Sequence, residues 1–68
     1  MIQLGIAAFY HDSAACIVKD GKVIAAVEEE RFTEIKHDAA FPVNAIKWCL
    51  KEARIKITDI DEVCWYEN

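Results

Sequence analysis

Apolar positions along the chain fall first into short runs, then into a three-and-four spacing, and last into a final short run. Ile2, Leu4 and Ile6 alternate with Gln3 and Gly5, the period of two that marks a strand with one buried face. Residues 2–8 therefore read as the first strand. Glycine inside a strand marks a bulge or a close approach by another group, and Gly5 is such a position. Residues 14–18 and 23–27 are apolar without alternation, which fits strands covered on both faces. Between them lies Lys19-Asp20-Gly21-Lys22, and an Asp-Gly pair flanked by strand sequence is a strong hairpin signal. Strands one to three thus form an antiparallel meander.

The third strand runs into a charged stretch, Glu28-Glu29-Glu30-Arg31-Phe32-Thr33, followed by Lys36-His37-Asp38. Side chains alternate along a strand, so Glu28 and Glu30 would share one face and Glu29 the other with Arg31. Two readings are open. The stretch is an exposed, charged strand end that blunts an edge, or one carboxylate pairs with Arg31 and holds the following loop. Phe41-Pro42 then opens a helix, since proline fits the first helical position. Val43, Ile46, Cys49, Leu50 and Ala53 form one apolar stripe, with Trp48 off its centre and Lys47 and Lys51 facing away. The helix runs for about three turns. Thr58, with Asp61 three residues later, has the spacing of a capped turn. Residues 62–66 are rich in strand formers and make a fourth strand.

Strand, strand, strand, helix, strand closes most simply through a right-handed crossover that lays strand four parallel to strand one. The expected fold is α+β, with sheet order 3-2-1-4 and one helix on one face. That leaves the opposite face and the strand-four edge open, although strands two and three read as buried on both sides. The chain reads as one subdomain cut short.

Sixty-eight residues make one small domain, and chains of this size gain stability from disulfides, metals or association. Cys16, Cys49 and Cys64 are odd in number and lack a C-x-x-C pair, so they signal neither a disulfide framework nor a zinc knuckle. Each is expected as a small buried hydrophobe with a reduced thiol. Association remains. The net charge of −4, from twelve acidic and eight basic residues, argues against nucleic-acid binding. Lys47, Lys51, Arg54 and Lys56 instead complement the dipole at a helix end. No signal-peptide pattern follows Met1 and no apolar run is of spanning length, so the expectation is a cytoplasmic chain without membrane contact.

Candidate chemistry sits between strands one and two, at Phe9-Tyr10-His11-Asp12-Ser13. An imidazole, a carboxylate and a hydroxyl share one loop tip, and loops on a rigid scaffold are where binding and catalytic groups concentrate. The plainer reading is an Asp/Ser-capped turn with a solvated histidine.

Residues 5–16, containing Phe9-Tyr10-His11-Asp12-Ser13, resemble the N-terminus of the O-carbamoyltransferases that modify nodulation factors and antibiotics. So do Val27-Glu28-Glu29-Glu30-Arg31-Phe32-Thr33, Lys36-His37-Asp38 and Phe41-Pro42-Val43-Asn44-Ala45-Ile46. Four blocks in the right order cover essentially the whole chain, which would be about the first tenth of such an enzyme. The resemblance implies a partial ribonuclease-H-like or actin-like subdomain, in which the first hairpin faces phosphate. It implies an ATP-dependent enzyme that forms a carbamoyl-adenylate from carbamoyl phosphate in a separate C-terminal domain. The carbamoyl group then passes to a hydroxyl in the N-terminal domain, beside a metal ion.

By that match His11 and Asp12 are the candidate catalytic residues. Ser13, Glu30, Arg31, Lys36 and His37 are the candidate substrate- or phosphate-binding residues. ATP and a divalent metal are implied for the full-length enzyme, with none bound by this chain alone, because the family's metal ligands and ATP-handling region are expected beyond Asn68. His11 and His37 alone fall short of an ordinary metal ligand count. Arg54 stands where the family usually has glycine, which implies a strained or differently ended helix. The expected partners are the remainder of the enzyme or further copies of the chain, with carbamoyl phosphate or nucleotide as ligand. The alternative to an enzyme segment is a non-catalytic module that oligomerises through its open edge.

Overall fold

A computed structural model describes residues 1–8 and 12–66. Strands β1 (Ile2–Ala7), β2 (Ala14–Lys19) and β3 (Lys22–Glu28) come first, then a single helical turn α1 (Glu30–Thr33) and the main helix α2 (Val43–Ala53). A 3-10 turn (Ile57–Asp59) leads into β4 (Glu62–Tyr66). The four strands form one sheet in the order β3-β2-β1-β4, antiparallel except for the parallel β1–β4 pair. The α+β architecture, its strand order and its parallel β1–β4 pair are those expected from the sequence.

The β2–β3 hairpin turns at Asp20 and Gly21, both at positive φ (50° and 83°), a pair of angles whose twist matches that of the flanking strands. The register shifts between Ile17 and Val18, so Ile24 is the extra residue of a bulge and turns outward, exposed. Gly5 stays in register with Cys16 on one side and Cys64 on the other. It is a close approach and not a bulge: an added Cβ would lie 2.6 Å from Cys16 Sγ and 2.7 Å from Tyr66 Cε2.

Leu4, Ile6, Ala15, Ile17 and Ala25 point to one face and bury against Ala45 and Cys49 of α2. Two expectations need correction here. The helical stripe is centred on Ala45 and Cys49, while Val43 is exposed. Strands β2 and β3 are covered on one face only, and Val23 of β3 is 66% exposed, because one helix covers one side of a sheet. Of the three free thiols, Cys49 alone is fully buried. Its Sγ donates to the Ala15 carbonyl at 3.4 Å, and burial pushes the thiol up to about 11.

Both ends of α2 depart from the expected chemistry. Pro42 is the N-cap, not the first helical residue. Its φ of −81° and ψ of 63° form a tight inverse turn in which the Val43 N–H donates to the Phe41 carbonyl at 2.8 Å. A proline cap has no side-chain acceptor for the first turn's N–H groups. At the far end Arg54 adopts the left-handed conformation (φ 57°, ψ 44°) that glycine favours, and its N–H closes on Leu50 and Lys51 carbonyls. The absent glycine leaves the helix terminus unchanged in kind and strained in backbone. The later cap is shifted as well. The Lys56 N–H donates to Asp59 Oδ2, while Asp61 Oδ2 accepts from the Ile2 N–H and so pins β4 to β1.

Candidate functional site

The chain crosses the end of the sheet three times: in the β1–β2 loop, in the step from β3 into α1, and in the α1–α2 loop. His11 lies outside the described residues, as do Phe9 and Tyr10. The next residue, Asp12, adopts a left-handed backbone at φ 57°. Asp tolerates that conformation better than most residues.

Ser13 locks the loop to both other segments. Its N–H donates to the Asp38 carbonyl at 2.7 Å, and its carbonyl accepts from the Glu29 N–H at 2.8 Å. The Ser13 side chain is fully buried, and its Oγ has no hydrogen-bond partner among the described residues. A buried hydroxyl in that state costs stability and is rare in folded proteins.

Glu29 resolves the puzzle of the three consecutive carboxylates. The third strand ends at Glu28, and the following turn of helix places Glu29 inward, 3% exposed. Its carboxylate accepts from the Ala45 N–H at 2.7 Å, the Asn44 N–H at 3.3 Å and Asn44 Nδ2 at 2.8 Å. Glu29 is thus the acceptor that the Pro42 cap lacks, supplied from fifteen residues away. Neither reading of the charged stretch anticipated this. Glu29 does not pair with Arg31; the Arg31 guanidinium lies 5.8 Å from the Trp48 ring centroid, a cation–π contact.

Asp38 plays the matching part in the α1–α2 loop. It is buried, and its carboxylate accepts from the Ala40 N–H at 2.9 Å and from Thr33 Oγ1 at 2.7 Å. These bonds hold its pKa below the ordinary carboxylate value. With its carbonyl on Ser13, Asp38 carries the preceding residue to the loop tip. There His37, itself at φ 56°, sets Nδ1 2.8 Å from Asp12 Oδ1. The His37 N–H donates to Glu30 Oε1 at 2.8 Å. The hydrogen bond and charge of Asp12, with smaller effects of Glu30 and Glu28, raise the imidazole pKa above its usual value.

Asp12, Ser13, Glu30 and His37 therefore converge. Lys36 sits exposed on the turn before His37, and Arg31 turns toward α2. Glu29, Thr33 and Asp38, which hold the converging residues in place, were missed from sequence. The available signal was a helix opening on proline without a capping side chain, beside a run of carboxylates that needed partners. A divalent cation has a donor set here that the histidines alone did not offer. One ligand atom each of Asp12, Glu30 and His37 lies within 4.8 Å of the other two, and carboxylate with imidazole suits first-row divalent ions. None of the described helices is long and apolar enough to cross a membrane.

Comparison with known proteins bears on this arrangement. The family pattern described as carbamoyltransferase N-terminus matches residues 2–68. An uncharacterised protein of Synechocystis sp. is 58% identical over 65 residues, covering 96% of this chain and 11% of that protein. The nodulation protein NolNO of Sinorhizobium fredii is 50% identical over 58 residues, covering 85% of this chain and 8% of its own length. A 19.2 kDa protein of Rhizobium etli is 48% identical over 58 residues, which are 85% of this chain and 34% of that protein. The chain spans about a tenth of the length of the first two relatives.

Proposed function

Because the chain belongs to the carbamoyltransferase N-terminus family, we propose that it is the acceptor-side segment of an ATP-dependent carbamoyltransferase, inactive when isolated. In this reading the enzyme moves a carbamoyl group derived from carbamoyl phosphate to a hydroxyl. The acceptor oxygen bonds to the carbamoyl carbon of the carbamoyl-adenylate, the bond from that carbon to the adenylate's phosphate oxygen breaks so that AMP leaves, and the hydroxyl proton passes to a base. His11 is that base, since an imidazole exchanges protons near neutral pH. In this reading Asp12 and His37 hold the loop that carries it, and Ser13 and Lys36 are the residues assigned to phosphate. The supporting observation is the 2.8 Å Asp12–His37 contact. It joins two sequence blocks 25 residues apart.

An amide NMR titration of the chain with carbamoyl phosphate, then with ATP, tests this. Shifts confined to residues 12–13 and 30–37, and lost in His11→Ala, support the reading. Dispersed peaks that do not move refute a ligand site within this segment.

A second reading has its own observation. β4 is an edge strand with exposed Val63, Trp65 and Tyr66, and beside it Phe41, Val43, Ile46, Leu50 and Ile57 line an apolar groove of about 340 Å³ with Leu4 and Ile6 at its floor. An open edge of this kind accepts an added strand. On this reading the chain is a non-catalytic module that associates with copies of itself, and a monomer by light scattering at 100-micromolar-order concentration would sink it.

A further inference from the structure

We propose that β4 pairs with β4 of a second copy of this chain, antiparallel and centred on Cys64. Two chains then share one continuous sheet, with both α2 helices on the same side. The proposal rests on the second reading above and deepens it by fixing the interface and its register.

The two edges of the described sheet are not alike. At the β3 edge Lys22 stands in the strand, and the register shift between Ile17 and Val18 makes a bulge. Both features hinder the addition of another strand. β4 carries no lysine, no proline and no register shift, so its outward N–H and C=O groups are open to a further strand. Its side chains divide by face. Val63 and Trp65 stand beside Leu4 and Ile6, which bury against α2, and so lie on the helix side, 50% and 55% exposed. The Trp65 ring packs there against Phe41, with centroids 6.1 Å apart. Glu62, Cys64 and Tyr66 lie on the other face, where Glu62 accepts from Gln3 Nε2 at 2.7 Å.

A two-fold axis perpendicular to the sheet keeps each face on its own side, and directly opposite residues of an antiparallel pair share a face. The axis must therefore pass at a residue. On Cys64 it sets Val63 opposite Trp65 of the second copy, twice, and Glu62 opposite Tyr66, twice. An aromatic ring against a β-branched side chain is a stabilising cross-strand pair, and no carboxylate meets another. With the axis on Val63, Asp61 would stand opposite Trp65. With the axis on Trp65, Glu67 would stand opposite Val63. Only the Cys64 register matches apolar with apolar along the helix side. The apolar grooves beside α2 of the two copies open on that same side and flank the paired strands.

The test uses the 68-residue chain at about 100 micromolar. Light scattering should report a dimer. In a mixture of isotope-labelled and unlabelled chains, filtered NOE spectra should show the Val63 methyls against the Trp65 indole of the other copy. Val63→Glu and Trp65→Lys should each weaken the dimer about tenfold or more, and the double variant should recover most of that loss, because the two new charges face each other across the axis. A dimer that lacks those NOEs, single variants that associate as tightly as wild type, or a double variant no tighter than the singles would overturn the proposal and leave self-association standing. A folded monomer would overturn both.

Discussion

Removing the Glu29 carboxylate should destabilise this chain more than any other single surface-to-core charge change, because it closes a helix that has no cap of its own. In Glu29→Ala the Ala45 N–H, on a residue with no solvent exposure, loses its acceptor and water has no ready path to replace it. An unsatisfied buried donor costs about 1–3 kcal/mol. Asn44 is exposed, so water recovers most of its two bonds, and lost attraction to the helix N-terminus adds about 0.3–1 kcal/mol. The expected loss is therefore about 1–4 kcal/mol. A 68-residue domain has roughly 3–10 kcal/mol in total at typical stability per residue, so the variant should sit near the edge of folding. Glu29→Gln keeps one acceptor oxygen for Ala45 and should lose about half as much. Urea unfolding followed by circular dichroism measures both, and hydrogen exchange at the Ala45 amide reports the cap locally. A Glu29→Ala loss below about 0.5 kcal/mol, or an unchanged Ala45 exchange rate, would refute the remote-cap argument.

Other consequences are as direct. Arg54→Gly relieves a left-handed non-glycine residue and should raise stability by about 0.5–1 kcal/mol, seen as a melting temperature several degrees higher. Gly5→Ala places a methyl against Cys16 Sγ and the Tyr66 ring and should cost about 1–3 kcal/mol. Gly5→Ala in a Tyr66→Ala background should recover part of that loss in a double-mutant cycle. In chelator-treated protein the His37 ring should titrate above its ordinary value by NMR. Its raised folded pKa means the contribution is complete below about pH 6.5 and lost as pH rises through the folded value. Asp12→Asn should return the ring toward its ordinary pKa. Cys49, pushed up to about 11, should react with a thiol reagent at pH 8 far more slowly than Cys16 or Cys64, and equal rates for all three would contradict the described core.

Local pattern was enough for the sheet and its order. Alternation at Ile2, Leu4 and Ile6, the Asp20-Gly21 turn and the three-and-four spacing in α2 are properties of short windows, and chain geometry leaves a parallel β4 few other places. The family too was legible, because Phe9-Tyr10-His11-Asp12-Ser13 and Lys36-His37-Asp38 are linear motifs. What those motifs do together was not legible. Glu29 reads as one of three equivalent carboxylates until the chain folds, when a helix N-terminus closing on Pro42 turns it inward. The same is true of Asp12 and His37, 25 residues apart and each held in a left-handed backbone by bonds through Ser13 and Asp38. Capping across fifteen residues and contact across 25 depend on where elements meet in space, and no local spacing encodes that. Sequence by itself determined the four strands, the main helix, their order and the family. Tertiary structure alone decided which charged residues became scaffold and which were brought together at the loop tip, because burial and hydrogen bonding act on neighbours in space and not along the chain.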